Sequence, residues 1–155
     1  MVLNLTEASR GKNFINLITD LKDDLTIKGN LNELEQAFIN IVNNSKDILS
    51  EKDKKDDRYI FITSKKIDDN TLEIKILDNG GGLKEDIIDR IFEPYFTTKH
   101  KSMGTGLGLS MADKIIRERH NGSIKVHNEE FVYNDKEFKG ACFTILFKTY
   151  AKDLS

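Results

Sequence analysis

The sequence predicts an α/β sandwich, one mixed sheet with helices packed on one face. Three observations carry this reading. Residues 30–49 hold a long amphipathic helical pattern, and 59–64 and 72–78 look like two strands joined by a tight turn. A second helical stretch at 107–120 then leads into closing strands at 123–127 and 141–148. Helices therefore interleave with hairpins rather than with single parallel strands.

Each element follows from local chemistry. Residues 1–12 form a frayed segment, polar and aperiodic from Thr6 to Lys12, and 151–155 form a tail, leaving 13–150 as the domain. Phe14, Ile15, Ile18 and Leu21 would suit one face of a short helix, yet the segment is short and rich in β-formers. A strand at 14–18 is preferred, turning through 20–24 into a second strand at 25–28. Asn30 stands at an N-cap position with Glu33 three residues later, a variant of the capping box. Leu34, Ala37, Phe38, Ile41, Ile48 and Leu49 recur at helical spacing and should face the core. The charged run 51–58 is expected to be a solvated loop. Leu72, Ile74 and Ile76 alternate with Glu73 and Lys75, so that strand buries one face, and Asp68-Asp69-Asn70 supplies the turn before it. Residues 85–92 are expected as a short helix. In 107–120, Leu109, Ala112, Ile115 and Ile116 share the inner face, and Asn121-Gly122 stops the helix. A polar, aromatic-containing excursion bridges the last two strands.

The 155 residues include 24 basic and 26 acidic side chains, a net charge of −2, with 38% apolar and 32% charged residues. That is enough chain for one domain with a real core, and too apolar for a disordered segment. Near-neutral charge argues against wholesale binding to nucleic acid or to an anionic membrane. The longest uncharged stretch, 102–112, has eleven residues and three glycines, so nothing spans a bilayer and nothing looks like a signal peptide. A single cysteine, Cys142, excludes an intramolecular disulfide framework and a cysteine-rich zinc site, and makes a reducing cytoplasm the default setting. A parent protein held in the inner membrane would carry its anchor elsewhere. His100, His120 and His127 are not spaced as metal ligands, and Cys142 sits in an alternating strand pattern that points to the core.

Four patches carry chemistry. Asn40, Asn44 and Asp47, spaced four then three, fall within roughly 60° of one another on a helix, and Glu33 shares their stripe. Such a row of oxygens at a core boundary suits a hard cation such as Mg²⁺, although a solvated polar stripe has the same pattern. Asp78-Asn79-Gly80-Gly81-Gly82 directly follows the buried strand. Its glycines permit a sharp turn and close ligand approach, and its carboxylate can accept from an adenine amino group; a plain glycine turn is the alternative. Phe92-Glu93-Pro94-Tyr95-Phe96-Thr97-Thr98-Lys99 sets aromatics beside hydroxyls and a lysine, fit to cover a nucleotide or simply to anchor a loop. Gly104-Thr105-Gly106-Leu107-Gly108-Leu109 opens a helix, where bare N–H groups form an anion cradle. Its GxGxG spacing is neither the dinucleotide fingerprint nor a P-loop.

In this order the patches resemble the N, G1, F and G2 boxes of the catalytic ATP-binding domain of sensor histidine kinases. The segments are FINIVNNSKDIL, ILDNGGGL, IFEPYFTTK and MGTGLGLSMADKII, and HNGSIKV and GACFTILF look like the same family. The likeness covers about residues 25–148 and extends to gyrase, mismatch-repair and chaperone ATPases. It implies the Bergerat fold, a two-layer sandwich with a mixed, mostly antiparallel sheet and helices on one face, binding ATP and Mg²⁺. By position, the resemblance makes Asn44 the Mg²⁺ ligand and sets Asn40 and Asp47 near the phosphates. Asp78 would receive the adenine amino group, Gly80 and Gly82 would shape its pocket, and Phe92 and Phe96 mark the F box. Thr97, Thr98 and Lys99 would lie where a mobile lid meets the phosphates, and Gly104, Thr105, Gly106, Leu107 and Gly108 would offer phosphate-binding backbone. Ala141 stands where relatives often keep a Thr or Ser that makes a water-mediated adenine contact.

The resemblance also implies a reaction: transfer of the ATP γ-phosphoryl group to a histidine on a separate dimerisation domain, with a response regulator downstream. None of the three histidines lies in the family's HExxxP-like phosphoacceptor box, so the chain is expected to act as an excised catalytic domain. ATPase relatives place a Glu one helical turn before the Mg²⁺-binding Asn to activate water; here that position is Asn40, and an amide is no base at neutral pH. Serine kinases of the same superfamily share the boxes, but the FEPYFTTK and GTGLGLS wording favours the histidine kinases. A degenerate nucleotide-binding module is the non-enzymatic alternative. No nucleic acid and no membrane contact by this segment are expected.

Overall fold

The computed structural model describes residues 15–22, 26–52, 56–96 and 107–149. Helix α1 (Leu31–Ser50) begins as its cap predicts: the Asn30 side chain accepts from Glu33 N at 3.1 Å. Its inner face buries Leu34, Ala37, Phe38, Ile41, Val42 and Leu49. Ile48 stands instead at the edge of that face, beside Gly80.

This face rests on a five-stranded sheet of order β1-β2-β3-β5-β4, made of β1 (Asn16–Leu21), β2 (Tyr59–Asp68), β3 (Thr71–Asp78), β4 (Ser123–Tyr133) and β5 (Lys136–Lys148). Among the described strands β1 and β2 pair in parallel, while β2–β3, β3–β5 and β5–β4 are antiparallel. Ile60, Ile62, Ile76, Ile124, Phe143, Ile145 and Phe147 project from one side of the sheet into the core, joined by Ala112, Ile115 and Ile116 from the helical segment packed beside α1. Phe147 meets Phe38 edge-on with centroids 6.4 Å apart. Helices on one face of a mixed sheet is thus the observed architecture.

Several local expectations are corrected. The first strand does not turn into a second one at 25–28: of that stretch, 26–28 is described, and it is irregular. Parallel pairing of β1 with β2 requires a crossover, and α1 supplies it. The backbone N–H of Asn30, which follows, donates to His120 Nε2 at 3.0 Å. Helix α2 (Glu85–Ile88) ends well before 92, because the chain tightens into short turns that send Ile91 into the core. Helix α3 (Gly108–Lys114) widens into a π-helical stretch, Ile115–Arg119, in which the adjacent Ile115 and Ile116 are both buried. Asn121, at φ 52°, then stops it as expected, and Gly122 N donates to Ile116 O at 2.8 Å. The bridge between the last strands is no excursion but the tip of a long β4–β5 hairpin, turned at Asn134 and Asp135 with φ of 50° and 61°. Nor is the charged run wholly solvated: Arg58 is buried and donates to Lys52 O, and Lys52 Nζ donates to Asn79 O at 2.8 Å.

Two ties lock the helical layer. His120 Nδ1 donates to Ile115 O at 2.9 Å, which leaves Nε2 as the acceptor for Asn30 N. Arg119 grips Glu33 with two bonds of 2.8 and 2.6 Å, so Glu33 is occupied by an arginine rather than held ready for a cation.

The far side of the sheet is also furnished. Tyr59, Phe61, Phe131, Tyr133 and Phe138 form a cluster of ring contacts with centroids 5.0–5.8 Å apart. Between the two faces, Gly140 of β5 lies against the end of β3 so tightly that a Cβ there would sit 1.6 Å from Asp78 O. Gly140→Ala should therefore destabilise the domain by about 3 kcal/mol or more, the upper range of overpacking. Gly81→Ala meets open space and only the strain of φ 97°, and should cost about 1 kcal/mol. Urea unfolding of the two variants side by side tests the ordering.

Candidate functional site

Asp78 closes β3 and is fully buried. Its Oδ1 accepts from Gly80 N at 2.9 Å and from Ala141 N at 3.3 Å. Among the described residues its buried Oδ2 has no hydrogen-bond partner, nor do Ser45 Oγ and Asn44 Nδ2 of α1. Ser45 approaches the carboxylate without closing a bond of normal length. Burial pushes the Asp78 carboxyl above the usual aspartate value of 3.8, against the opposing pull of the two amides, the Ser45 hydroxyl and the Lys52 ammonium. A carboxylate oxygen withdrawn from water and left open can accept a proton donor from a ligand, which is how a polar group selects its partner in an otherwise apolar pocket.

The backbone around it is shaped by close packing. A Cβ on Gly80 would lie 2.4 Å from Ile48 Cγ2, so glycine lets α1 approach the loop. Gly81 and Gly82 follow at φ 97° and 86°, and Gly81 N donates to Lys139 O at 2.8 Å. Two asparagines staple this loop, and sequence reasoning assigned neither of them a role. Asn128 of β4 accepts from Leu83 N at 2.7 Å and donates to Leu83 O at 2.6 Å. Asn79 is buried, accepts from Tyr59 N at 2.8 Å and donates to Asp57 O at 3.0 Å, fixing the start of β2. Asn79 lies inside the DNGGG motif and Gly140 opens the GACFTILF segment, but nothing local marks Asn128.

The remaining candidates divide by place. Asn40, Asn44 and Asp47 are half-buried along one side of α1. Asn40 Oδ1 accepts from Gln36 Nε2 at 2.8 Å, and a Cβ on Gly108 would lie 3.8 Å from the Asn40 side chain, so α3 begins against this stripe. Leu107 caps α3, its carbonyl accepting from Met111 N at 2.9 Å and Ser110 Oγ at 3.0 Å. Phe92 packs on Phe143 at 6.2 Å between centroids, while Arg90 lies 4.7 Å over the Phe96 ring. Phe92 thus anchors its loop to the core, and Phe96 is held by a cation. Thr97, Thr98, Lys99, Gly104, Thr105 and Gly106 lie outside the described residues.

Residues 29–151 match the family described as histidine kinase-, DNA gyrase B-, and HSP90-like ATPase. The chain belongs to this family. Sporulation kinase E of Bacillus subtilis (strain 168) is 38% identical over 129 residues, which are 83% of this chain and 16% of that protein. The catalytic domain of histidine kinase ThkA, 27% identical, superposes with a TM-score of 0.67 over 86% of this chain and 80% of its own. Mycobacterial sensor histidine kinase MprB, at 19% identity and a TM-score of 0.71 over 87% of this chain and 84% of its own, shares the fold. The chain is an ATP-binding catalytic domain of the sensor histidine kinase type, and it spans a small part of the curated relatives it matches.

The raised Asp78 carboxyl has a consequence for stability. In the window from the ordinary aspartate value up to the raised one, the folded state binds more protons than the unfolded chain, so stability falls as pH rises. Asp78→Asn should remove that slope. Urea midpoints taken across this window at fixed ionic strength should decline more steeply for the parent than for the variant; parallel curves would show a carboxyl that is not desolvated.

Proposed function

We propose that this domain binds Mg²⁺-ATP at the α1–β3 junction and donates the γ-phosphoryl group to a histidine on a separate dimerisation domain of its parent kinase. The single observation that carries the nucleotide assignment is Asp78 Oδ2, a buried acceptor at the end of β3 with no partner among the described residues. It suits the amino group of adenine and repels the carbonyl oxygen that guanine presents there. Gly80 and Gly82 would line the base, with Phe92 and Phe96 on the loop beside it. Asn44 would offer an amide oxygen to Mg²⁺, and Asn40 and Asp47 further oxygens toward the phosphates, a hard donor set of the kind that ion takes. Thr97, Thr98 and Lys99, with the backbone of Gly104, Thr105, Gly106, Leu107 and Gly108, would complete the phosphate site. The unit proposed runs from 13 to 150, with 1–12 and 151–155 outside it.

Bound Mg²⁺ would neutralise charge on the phosphates; the chain's own contribution is positioning. Asn40 stands where a water-activating base would be needed for hydrolysis, and an amide cannot take that proton. This favours transfer to a docked partner over an ATPase switch, over serine kinase chemistry and over a degenerate module. A response regulator would receive the phosphoryl group next; histidine kinase ThkA has been solved in complex with response regulator protein TrrA. No described helix is long and apolar enough to cross a membrane. A cytoplasmic site of action, without nucleic acid or membrane contact by this domain, fits its near-neutral charge.

Losing one charged hydrogen bond costs about 1.5–3 kcal/mol, so Asp78→Ala should weaken ATP at least about tenfold. The parent should prefer ATP to GTP; equal affinities in calorimetry would overturn the pocket assignment. The chain alone should bind ATP yet turn it over near background, since a missing general base forfeits roughly 10²–10⁴ in rate. Radiolabelled γ-phosphoryl transfer should appear when the dimerisation domain is added. Steady hydrolysis by the chain alone, abolished by Asn40→Ala, would replace the kinase reading with an ATPase.

A further inference from the structure

On the sheet face away from the helices, His127 of β4 lies directly opposite Cys142 of β5, and Glu129 follows two residues along the same side of β4. One ligand atom of each lies within 4.8 Å of the others. His127 Nε2 and Glu129 Oε1 are 3.7 Å apart. Cys142 falls inside the GACFTILF segment, but the nucleotide site proposed above uses none of the three. The sequence placed Cys142 in the core and saw no metal spacing in the histidines; register across two strands creates a grouping that linear spacing hides. Cys142 is fully buried, yet Phe143 and Ala141, not Cys142, join the core beneath the helices.

We propose that His127, Glu129 and Cys142 form a Zn²⁺-class metal site with a fourth position open to water. Thiolate sulfur, imidazole nitrogen and carboxylate oxygen together suit a borderline-soft tetrahedral ion and are poor ligands for Mg²⁺ or Ca²⁺. Tetrahedral Zn²⁺ bonds set neighbouring donors roughly 3.3–3.8 Å apart. The His–Glu pair already has that spacing, and the sulfur lies within 4.8 Å of both, so side-chain rotation alone can close the site. His127 and Glu129, with side chains 49% and 34% exposed, form the solvent edge through which an ion reaches the buried sulfur. Two anionic ligands and a divalent ion sum to neutrality, which a half-buried site favours.

Binding replaces the S–H bond of Cys142 with an S–Zn bond and sends the proton to solvent. The groups bearing on that thiol are Glu129 and His127 of β4, Glu73 and Lys75 of β3, and Thr144 of β5, whose Oγ1 lies 3.9 Å from Sγ. Burial and the two carboxylates hold the thiol proton on above its usual range, so uptake at neutral pH is coupled to proton release.

The test uses the whole chain with Zn²⁺ and with Co²⁺ as a spectroscopic stand-in. Calorimetry should show one Zn²⁺ per chain, undisturbed by excess Mg²⁺, with about one proton released across buffers of different ionisation enthalpy. Co²⁺ should give a thiolate charge-transfer band that Cys142→Ser abolishes. His127→Ala should weaken Zn²⁺ at least about tenfold, the loss attached even to outer-shell partners. His127 is exposed, so that variant keeps its fold and decides the matter even where Cys142→Ser unfolds. Absence of Zn²⁺ uptake, no thiolate band in the parent, or equal affinity in His127→Ala would each overturn the proposal.

Discussion

A carboxylate removed from water at the end of β3 is the constraint around which this domain is arranged. Asp78 keeps its position because backbone amides of Gly80 and Ala141 point at one of its oxygens. Those amides are available only because the chain can run very close to itself there. Gly80 lets α1 approach, and Gly140 lets β5 lie against the strand end. Asn79 and Asn128 then hold the two sides of the loop in register with β2 and β4. An unfavourable charge burial is thus offset by a ring of small, individually ordinary contacts, a pattern common where folding stability gives way to recognition.

Much of this was legible from the chain alone, wherever the signal is local. The Asn30–Glu33 cap, the Asp69-Asn70 turn and the Asn121-Gly122 stop depend on side chains acting within a few residues, and each stands as expected. Asp78 was legible too, since a carboxylate ending an apolar strand before three glycines needs a reason to be there.

What was not legible depends on distant partners. His120 looks like any helix-end histidine until Asn30, ninety residues away, is found donating to it. Arg58 closes a charged run and nothing local says that it turns inward. The β4–β5 hairpin hid behind polar residues because its apolar side faces the aromatic cluster rather than the helices, so the alternation seemed broken. The expected strand at 25–28 failed for a related reason: β1 pairs with β2 on the far side of α1, not with the segment that follows it, a fact of topology and not of propensity.

The contact at Gly140 separates two kinds of constraint that sequence comparison alone would merge. Its close neighbour is the main-chain carbonyl of Asp78, which is the same whatever side chain residue 78 bears. A change at position 78 that keeps an acceptor toward Gly80 N and Ala141 N, such as Asp78→Asn, therefore leaves the junction's amides partnered. Position 140 has no such freedom, because any Cβ there meets that carbonyl. An engineer testing the proposed base contact would vary the first and leave the second alone.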